Sequence, residues 1–229
     1  MMPLGWDLIH LVVFDMDGTL YRQRPLRLRM ARDILLHTLL QRDVNVITVL
    51  AKYRRIRERL GDEQAADFER ASLAETAEAT NNSPDGVRAI VSEWIERRPL
   101  QYLAACRYPG VPQLFTGLQR SGKSIAILSD YPAQAKLQAL GLAADHVVSA
   151  GDDGIGLLKP HPKGFEHLIA AAGVKPQQTL VIGDRVDRDG RVARQVGAQA
   201  LIRSSRPIEG WQTFVSFDDA LFAPILASS

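Results

Sequence analysis

The chain has 229 residues, of which 46% are hydrophobic and 24% are charged, and its formal net charge is +2. This composition is ordinary for a folded globular protein and excludes a largely disordered chain. The small net charge provides no general attraction for nucleic acids or anionic membranes, and the single cysteine, Cys106, excludes an intramolecular disulfide bond.

The first predicted element is a buried strand that ends at a pair of carboxylates. Four apolar residues, 11–14, precede Asp15 and Asp17, and Gly18 and Thr19 follow directly. An uninterrupted apolar run is typical of a strand that is covered on both faces. Residues two apart on an extended chain point to the same side, and a glycine permits a sharp turn. The sequence therefore predicts that this strand presents two acids at one end.

The next segment, from residue 22 to about residue 106, predicts helices and no strand. Apolar residues recur there at the spacing of one helix face. The stretches with this spacing are 26–40, 46–60 and 83–98. We therefore predict an all-helical insert, residues 21–105, between the first strand and the rest of the chain.

From about Tyr108 onward, strand-like and helix-like stretches alternate. Short runs rich in Val and Ile are separated by amphipathic stretches that end near a glycine. This alternation predicts an α/β fold with a doubly wound, parallel, Rossmann-like sheet, built from residues 1–20 and 106–229. The predicted strands are 123–128, 145–150, 178–183 and 198–202, and the predicted helices are 111–122, 131–141, 161–173 and 188–197.

Polar side chains follow the predicted strands at one edge of this sheet. Ligands of open parallel sheets bind beyond the carboxyl ends of the strands, so these side chains are predicted to converge with the first two aspartates. They are Ser129 and Asp130 after the second strand, Lys159 in the loop before a helix, and Asp184, Asp187 and Asp189 after the fourth strand.

The converging groups suit phosphoryl chemistry. Close carboxylates resist joint ionisation, so one remains an ionised nucleophile while the pKa of the other is raised, which makes it a general acid. Oxygen ligands without a Cys or His cluster favour Mg²⁺. Lys159 and the hydroxyl of Ser129 suit a phosphoryl group. Attack by a carboxylate gives an aspartyl-phosphate that water hydrolyses.

Four motifs of the chain resemble those of the haloacid dehalogenase-like hydrolases. They are DMDGT, ILSD, LLKPHP and VIGDRVDRDG, in the family's order, within residues 9–20 and 108–204. The resemblance implies that Asp15 is the nucleophile and that Asp17 is the acid and base, with its backbone carbonyl on the metal. The implied residues are Asp15, Asp17 and Lys159 for catalysis; Gly18, Thr19, Ser129, Asp130 and Lys159 for phosphate binding; and Asp15, Asp17, Asp184 and Asp189 for the metal, with Asp187 as the rival of Asp189.

Two features of the chain leave the substrate open. Asp130 stands where many relatives have Asn, and an acid near a phosphate repels it unless the side chain points away or contacts the metal. The helical insert resembles the family's small cap domain, which supplies substrate specificity. Its first arginines form either a solvated face or a site for further anionic groups of the substrate. These arginines are Arg22, Arg24, Arg27 and Arg29.

The predicted function is Mg²⁺-dependent hydrolysis of a small phosphomonoester through an aspartyl-phosphate, as in phosphoglycolate phosphatases. The alternatives are a phosphomutase acting on a sugar phosphate and a non-catalytic protein that binds a phosphorylated ligand. Haloacid dehalogenation is disfavoured, because it gives Asp17 no leaving group to protonate.

The expected partner is a small phosphorylated metabolite. A nucleic acid is not expected, since aromatic residues do not interleave with the basic ones. The N-terminal residues have neither a signal-peptide pattern nor a membrane-spanning pattern. The prediction is a cytoplasmic protein that is a monomer or a homodimer.

Overall fold

The computed structural model describes residues 4–227 and confirms the predicted α/β fold. Its strands are β1 Leu11–Phe14, β2 Ser124–Ser129, β3 His146–Ser149, β4 Thr179–Gly183, β5 Gln199–Arg203 and β6 Gln212–Phe214. Within the described residues these six strands form one sheet in the order β3-β2-β1-β4-β5-β6, and neighbouring strands are parallel. The five predicted strands are confirmed to within one residue at each end.

Helices cover both faces of the sheet and fill the segment between β1 and β2. They are α1 Gln23–Gln41, α2 Asn45–Asp62, α3 Phe68–Thr80, α4 Pro84–Val91, α5 Leu100–Cys106, α6 Val111–Arg120, α7 Gln134–Ala139, α8 Lys163–Ala172, α9 Arg191–Val196 and α10 Ala223–Leu226. Short 3₁₀ turns lie at Trp6–Leu8, Pro176–Gln178 and Ala220–Phe222, and π-helical turns lie at Ser92–Arg97 and Val186–Gly190. None of the helices within residues 4–227 is long and apolar enough to cross a membrane.

The segment between β1 and β2, all of which the structure describes, holds helices and no strand of the sheet. The three predicted stretches correspond to α1, α2 and α4, whereas α3 and α5 were not predicted. The Ala- and Glu-rich α3 has few large apolar residues to mark a face, so its periodicity is weak. After β2, two helices are shorter than the sequence predicted. Helices α7 and α9 have only six residues each, whereas the predictions were 131–141 and 188–197.

Strand β1 lies at the centre of the sheet and divides the core. Its alternate residues Val12 and Phe14 pack on one face with α6, while Leu11 and Val13 pack on the other face with α8 and α9. Because Phe14 is in register with Ile127 of β2 and Ile182 of β4, the ends of these strands meet at one edge. The residues that follow them therefore lie close together, as the sequence predicts.

The C-terminal segment adds β6 to the sheet edge, which the sequence did not predict. β6 has only three residues, too few for a recognisable alternation. An aromatic cluster (Trp6, Phe214, Phe217 and Phe222) anchors this segment, and the ring of Phe214 lies 5.1 Å from that of Phe217 and 5.0 Å from that of Phe222. The indole Nε1 of Trp6 donates a hydrogen bond to the carbonyl of Leu221, at 2.7 Å.

We predict that Phe222→Ala lowers the free energy of unfolding by about 3–5 kcal/mol, because Phe222 is fully buried and its removal leaves a cavity. Urea denaturation measures this change. Val215→Ala is the control: its side chain is 57% exposed, so we expect a change within about 0.5 kcal/mol. Equal effects of the two variants would contradict an anchoring role for the cluster.

Candidate active site

The first two acids lie where β1 ends, in a turn that requires glycine. The backbone N–H of Asp15 still donates to Ile182 of β4, so the carboxylate begins at the sheet edge. The hydroxyl of Thr19 donates to Oδ2 of Asp15 at 2.9 Å. Gly18 has φ +107°, and a Cβ there would overlap the carboxylate of Asp184. Gly18 thus permits both the turn and the approach of Asp184.

Lys159 joins two of the carboxylates. Its Nζ lies 2.6 Å from Oδ1 of Asp15 and 2.7 Å from Oδ1 of Asp189, and its side chain is only 5% exposed. Although burial disfavours its charge, the two carboxylates raise the pKa of Lys159 well above its ordinary value. Lys159 is therefore a permanent cation in contact with the predicted nucleophile.

Three carboxylates form a cluster that fits a hard divalent cation. Oxygens of Asp15, Asp184 and Asp189 all lie within 4.8 Å of one another. Burial raises the pKa of Asp15 well above its ordinary value, and burial together with Asp189 raises the pKa of Asp184 to about 6. Lys159 alone does not neutralise this cluster. Close oxygen donors with excess negative charge are the donor set that Mg²⁺ prefers.

Asp189 and Asp187, the two candidates for the second acid of the loop after β4, have different surroundings. Asp189 is buried and accepts a hydrogen bond from the backbone N–H of Arg185 in addition to the ion pair with Lys159. Asp187 is exposed and pairs with the guanidinium of Arg185 at 2.6 Å. The geometry therefore supports Asp189 as the second acid of this loop.

Asp17 has a different environment from the one that the sequence led us to expect. Its carboxylate oxygens lie 2.7 and 2.9 Å from Nζ of Lys136, and the Tyr21 hydroxyl donates to it. Burial alone would raise the pKa of Asp17, but the Lys136 charge and these hydrogen bonds lower it below its ordinary value. The sequence led us to expect an ionised nucleophile at Asp15 and a raised pKa at Asp17. In this structure the pKa of Asp15 is raised and that of Asp17 is lowered.

Ser129 and Asp130 end β2 and hold the neighbouring loop. The Ser129 hydroxyl oxygen accepts a hydrogen bond from the backbone N–H of Tyr131 at 3.2 Å. Oδ1 of Asp130 accepts a hydrogen bond from the backbone N–H of Lys159 at 2.9 Å. Asp130 thus helps to place Lys159, which gives the unusual acid a structural role. Burial raises the pKa of Asp130.

A cavity of about 570 Å³ lies between the helical segment and this edge of the sheet. Among the described residues, neither Thr19 nor Ser129 lines it, so their predicted contact with phosphate stays a prediction. Gly18 borders a second, more open pocket. The site residues that line the cavity are Asp15, Asp17, Asp130, Lys159, Asp184 and Asp189.

Sequence reasoning missed three basic residues at this site. Lys136 pairs with Asp17. Arg57 is buried, its guanidinium stacks on the rings of Phe68 and Tyr131, and it donates to the backbone carbonyl of Asp130. Their partners are far away along the chain, so no local pattern marks them.

The third missed residue is Arg188, which is 3% exposed. It donates to the backbone carbonyl of Lys159 and pairs with Asp62 of α2 at 2.6 Å and with Glu58 at 3.2 Å. Its charge is thus buried, but paired. Arg188 connects α2 directly to the loop that carries Lys159.

Of the four early arginines, Arg27 lines the cavity. Arg22 donates to the carbonyl of Ala105 at 3.5 Å, and Arg29 lies over the ring of Tyr102. Arg24 and Arg27 both border the second pocket. This segment therefore contributes one arginine to the main cavity, and the others serve packing or face solvent.

Comparison with known proteins identifies the chain's relatives. A family model described as haloacid dehalogenase-like hydrolase matches residues 9–197. A phosphoglycolate phosphatase of Rhodospirillum rubrum is 27% identical over 215 residues, which cover 91% of this chain and 86% of that protein. A glyceraldehyde 3-phosphate phosphatase of Methanopyrus kandleri is 27% identical over 197 residues, 83% of this chain and 82% of that protein. The structure of a 2-haloacid dehalogenase from Pseudomonas syringae pv. Tomato DC3000 has a TM-score of 0.64 at 20% identity, covering 96% of this chain and 98% of that one, which shows a shared fold.

We predict that Asp184→Asn stabilises the protein in metal-free buffer at pH 8. Because the folded-state pKa of Asp184 is raised to about 6, the stability that it contributes is present below about pH 4 and is lost as the pH rises through about 6. Removing the charge should add about 2–3 kcal/mol at pH 8 and nothing below about pH 4. Urea denaturation in EDTA across this range measures the difference.

The control is Asp187→Asn, because the hydrogen bond from Arg185 lowers the pKa of Asp187. This exposed variant should show no gain in stability at pH 8. With Mg²⁺ added, wild type should gain more stability than Asp184→Asn, since the variant lacks one ligand. If Asp184→Asn were less stable than wild type at pH 8 in EDTA, burial and the neighbouring acids would not be destabilising the ionised carboxylate of Asp184.

We also predict that Asp130→Ala lowers the free energy of unfolding by about 1–2 kcal/mol, because the N–H of Lys159 loses its acceptor. Asp130→Asn keeps an acceptor oxygen and removes a buried charge, so it should remain within about 0.5 kcal/mol of wild type. Denaturant titration compares the three proteins. An asparagine variant as unstable as the alanine variant would mean that the charge matters and the hydrogen bond does not.

Proposed function

The chain belongs to the haloacid dehalogenase-like hydrolases, and we propose that it is a Mg²⁺-dependent phosphatase acting on a phosphomonoester through an aspartyl-phosphate at Asp15. The observation that carries this proposal is the contact of Lys159 with Asp15 inside the three-carboxylate cluster. Such a set binds a cation and a phosphoryl group together. The names of the two curated phosphatase relatives support the same reaction class.

In the first step, a carboxylate oxygen of Asp15 attacks phosphorus and the bond to the alcohol oxygen breaks. Asp15 must be ionised for this attack; Lys159 favours that form against the effect of burial, and a bound cation would favour it further. The alcohol leaves with a proton from Asp17. In the second step, Asp17 takes a proton from water, whose oxygen attacks phosphorus and releases inorganic phosphate and the free Asp15 carboxylate. Lys159 offsets negative charge on Asp15 and on the phosphoryl oxygens throughout.

Asp15, Asp184 and Asp189, together with the backbone carbonyl of Asp17, would hold Mg²⁺, whose charge offsets that of the phosphoryl oxygens when it is bound. In the present structure that carbonyl accepts a hydrogen bond from Gln23 at 2.5 Å. The ion pair with Lys136 keeps Asp17 ionised, which is the form required for the second step. Asp17 must be protonated for the first step, and its protonation requires the ion pair with Lys136 to weaken.

A haloacid dehalogenase is the second candidate, because a solved protein of that name shares the fold. Halide leaves as a stable anion, so its displacement needs no acid at position 17. Here Asp17 lines the cavity and has its own cationic partner in Lys136. This arrangement favours the phosphatase.

We further propose that residues 21–105 act as a cap over a core formed by residues 1–20 and 106–229. The support is that α1 and α2 line the cavity opposite the carboxylates, through residues such as Met30 and Arg54. The substrate is proposed to be a small phosphorylated metabolite. The cytoplasmic location and the monomeric or homodimeric state stay predictions.

We predict that wild-type protein with Mg²⁺ releases inorganic phosphate from p-nitrophenyl phosphate, and that Asp15→Asn lowers this rate on the order of 10⁴-fold or more because the nucleophile is lost. Removal of Mg²⁺ by EDTA should also abolish release. A phosphate assay with both proteins measures this. Asp187→Asn is the matched control and should retain activity, since Asp187 lies outside the cluster.

The products distinguish the remaining alternatives. Transfer of the phosphoryl group between sugar hydroxyls without release would indicate a phosphomutase. Binding of a phosphorylated ligand without either reaction would indicate a non-catalytic protein. Full activity of Asp15→Asn would show that another residue is the nucleophile.

A further inference from the structure

The cavity has walls of two different kinds. Its floor, at the sheet edge, carries the carboxylates and Lys159, and its α2 side carries Arg54, Arg57 and Glu58. The side formed by α1 and the π-helical turn Ser92–Arg97 is mostly hydrocarbon, although Gln23 and Arg27 of α1 also line the cavity. We call this surface the apolar wall, which consists of Leu26, Met30, Ile34, Trp94, Ile95 and Pro99.

The apolar wall is a continuous surface built by two elements. Leu26, Met30 and Ile34 are spaced by four residues, so they share one face of α1. Trp94 and Ile95 come from the π-helical turn Ser92–Arg97. Such turns are frequent at functional sites because the extra residue widens the helix and redirects side chains. Both π-helical turns of the described chain contribute residues to this cavity.

The cavity is too large to be a packing defect. Protein interiors contain few voids larger than a water molecule. A volume of about 570 Å³ lies within the range of about 300–1,000 Å³ that is typical of sites for drug-sized ligands. A phosphate ester with only two carbon atoms would leave most of the apolar wall uncovered.

Most charged side chains around the cavity already have partners. Arg57 donates to the Tyr53 hydroxyl and to a backbone carbonyl. Glu58 pairs with Arg185, and Arg27 donates to a glutamine side chain. A second anionic group on the substrate would have to compete with the contacts of Arg57 and Arg185, whereas Arg27 has only a neutral amide as its partner.

Lys136 is likewise occupied, because it pairs with Asp17. Arg54 is exposed on the α2 side of the cavity, where water screens its charge. The apolar wall, in contrast, is already largely covered by protein, since Leu26, Met30, Trp94 and Ile95 are buried. Hydrocarbon of a ligand would cover the part that still faces the cavity.

We propose that the apolar wall binds the leaving group, and that the preferred substrates are phosphomonoesters of uncharged, hydrophobic alcohols with an alkyl chain or an aromatic ring. This inference rests on the proposed phosphatase reaction. It differs in substrate class from a small ester that carries a second acid, such as phosphoglycolate. The phosphate lies at the charged floor, and the alcohol extends toward Met30, Ile34 and Trp94.

The first test is binding of alkylphosphonates, which cannot be hydrolysed, by isothermal titration calorimetry in Mg²⁺ buffer. From ethyl- through butyl- to hexylphosphonate, Kd should fall about threefold per added methylene group, because each one leaves water for the apolar wall. Phosphonoacetate, which carries a second acid, should bind no tighter than ethylphosphonate. A Kd that does not change along the series, or tighter binding of phosphonoacetate, would overturn the inference and indicate recognition by Arg54.

Two neighbouring substitutions on α1 locate the effect. Ile34 is half-buried and lines the cavity, so Ile34→Asp should remove the dependence of Kd on chain length, because a carboxylate there no longer favours hydrocarbon. Leu35 is 55% exposed and outside the cavity. Leu35→Asp should therefore keep the wild-type dependence. Thermal melting establishes that both variants are folded, and identical binding by the two would overturn the inference.

Phosphate release from the corresponding alkyl phosphates separates the two proposals. Release that rises with chain length supports both. Binding that depends on chain length without any release would refute the phosphatase reaction but keep the apolar wall as a ligand site. Release that is independent of chain length would refute the role of the wall and keep the phosphatase.

Discussion

The ion pairs between Lys159 and the buried carboxylates of Asp15 and Asp189 are the interactions on which the site depends. Three acids at one sheet edge repel one another, and burial makes that repulsion costly. One buried ammonium reduces the cost only if its position is fixed. The backbone of Lys159 is held from both sides, since Asp130 accepts from its N–H and Arg188 donates to its carbonyl. The excess negative charge that remains explains why a cation fits there.

Arginines couple the helical segment to this arrangement. Arg188 reaches from the core to the acids Glu58 and Asp62 of α2. Arg57 reaches in the opposite direction, from α2 to the carbonyl of Asp130. Both guanidiniums are buried. Arg188 contacts the carbonyl of Lys159, and Arg57 contacts Asp130, whose carboxylate accepts from the N–H of Lys159. Movement of α2 away from the sheet edge would therefore break contacts that hold Lys159 and Asp130 in place.

The fold does not decide the reaction, because proteins named as phosphatases and as dehalogenases resemble this chain. The side chains at the cavity carry the distinction. Asp17, paired with Lys136, is the group that we propose for proton transfer, which halide displacement does not need. In the proposed reaction the charged floor binds the phosphate of any ester, and the apolar wall bears on the separate question of which alcohol is the leaving group.

The sequence by itself determined β1 to β5, the helical character of the insert and the acids at the strand ends, because hydrophobic periodicity and motif order are local properties; β6, α3 and α5 lacked such a signal. Asp15, Asp184 and Asp189 were predicted in this way to converge, and their oxygens lie within 4.8 Å of one another. The tertiary structure decided what depends on distant partners. The position of Lys136 makes Asp17 the acid with the lowered pKa, Lys159 gives Asp130 its role, and packing of the insert forms the cavity. Such pairs are separated by up to 119 residues, and only folding brings their charges within contact.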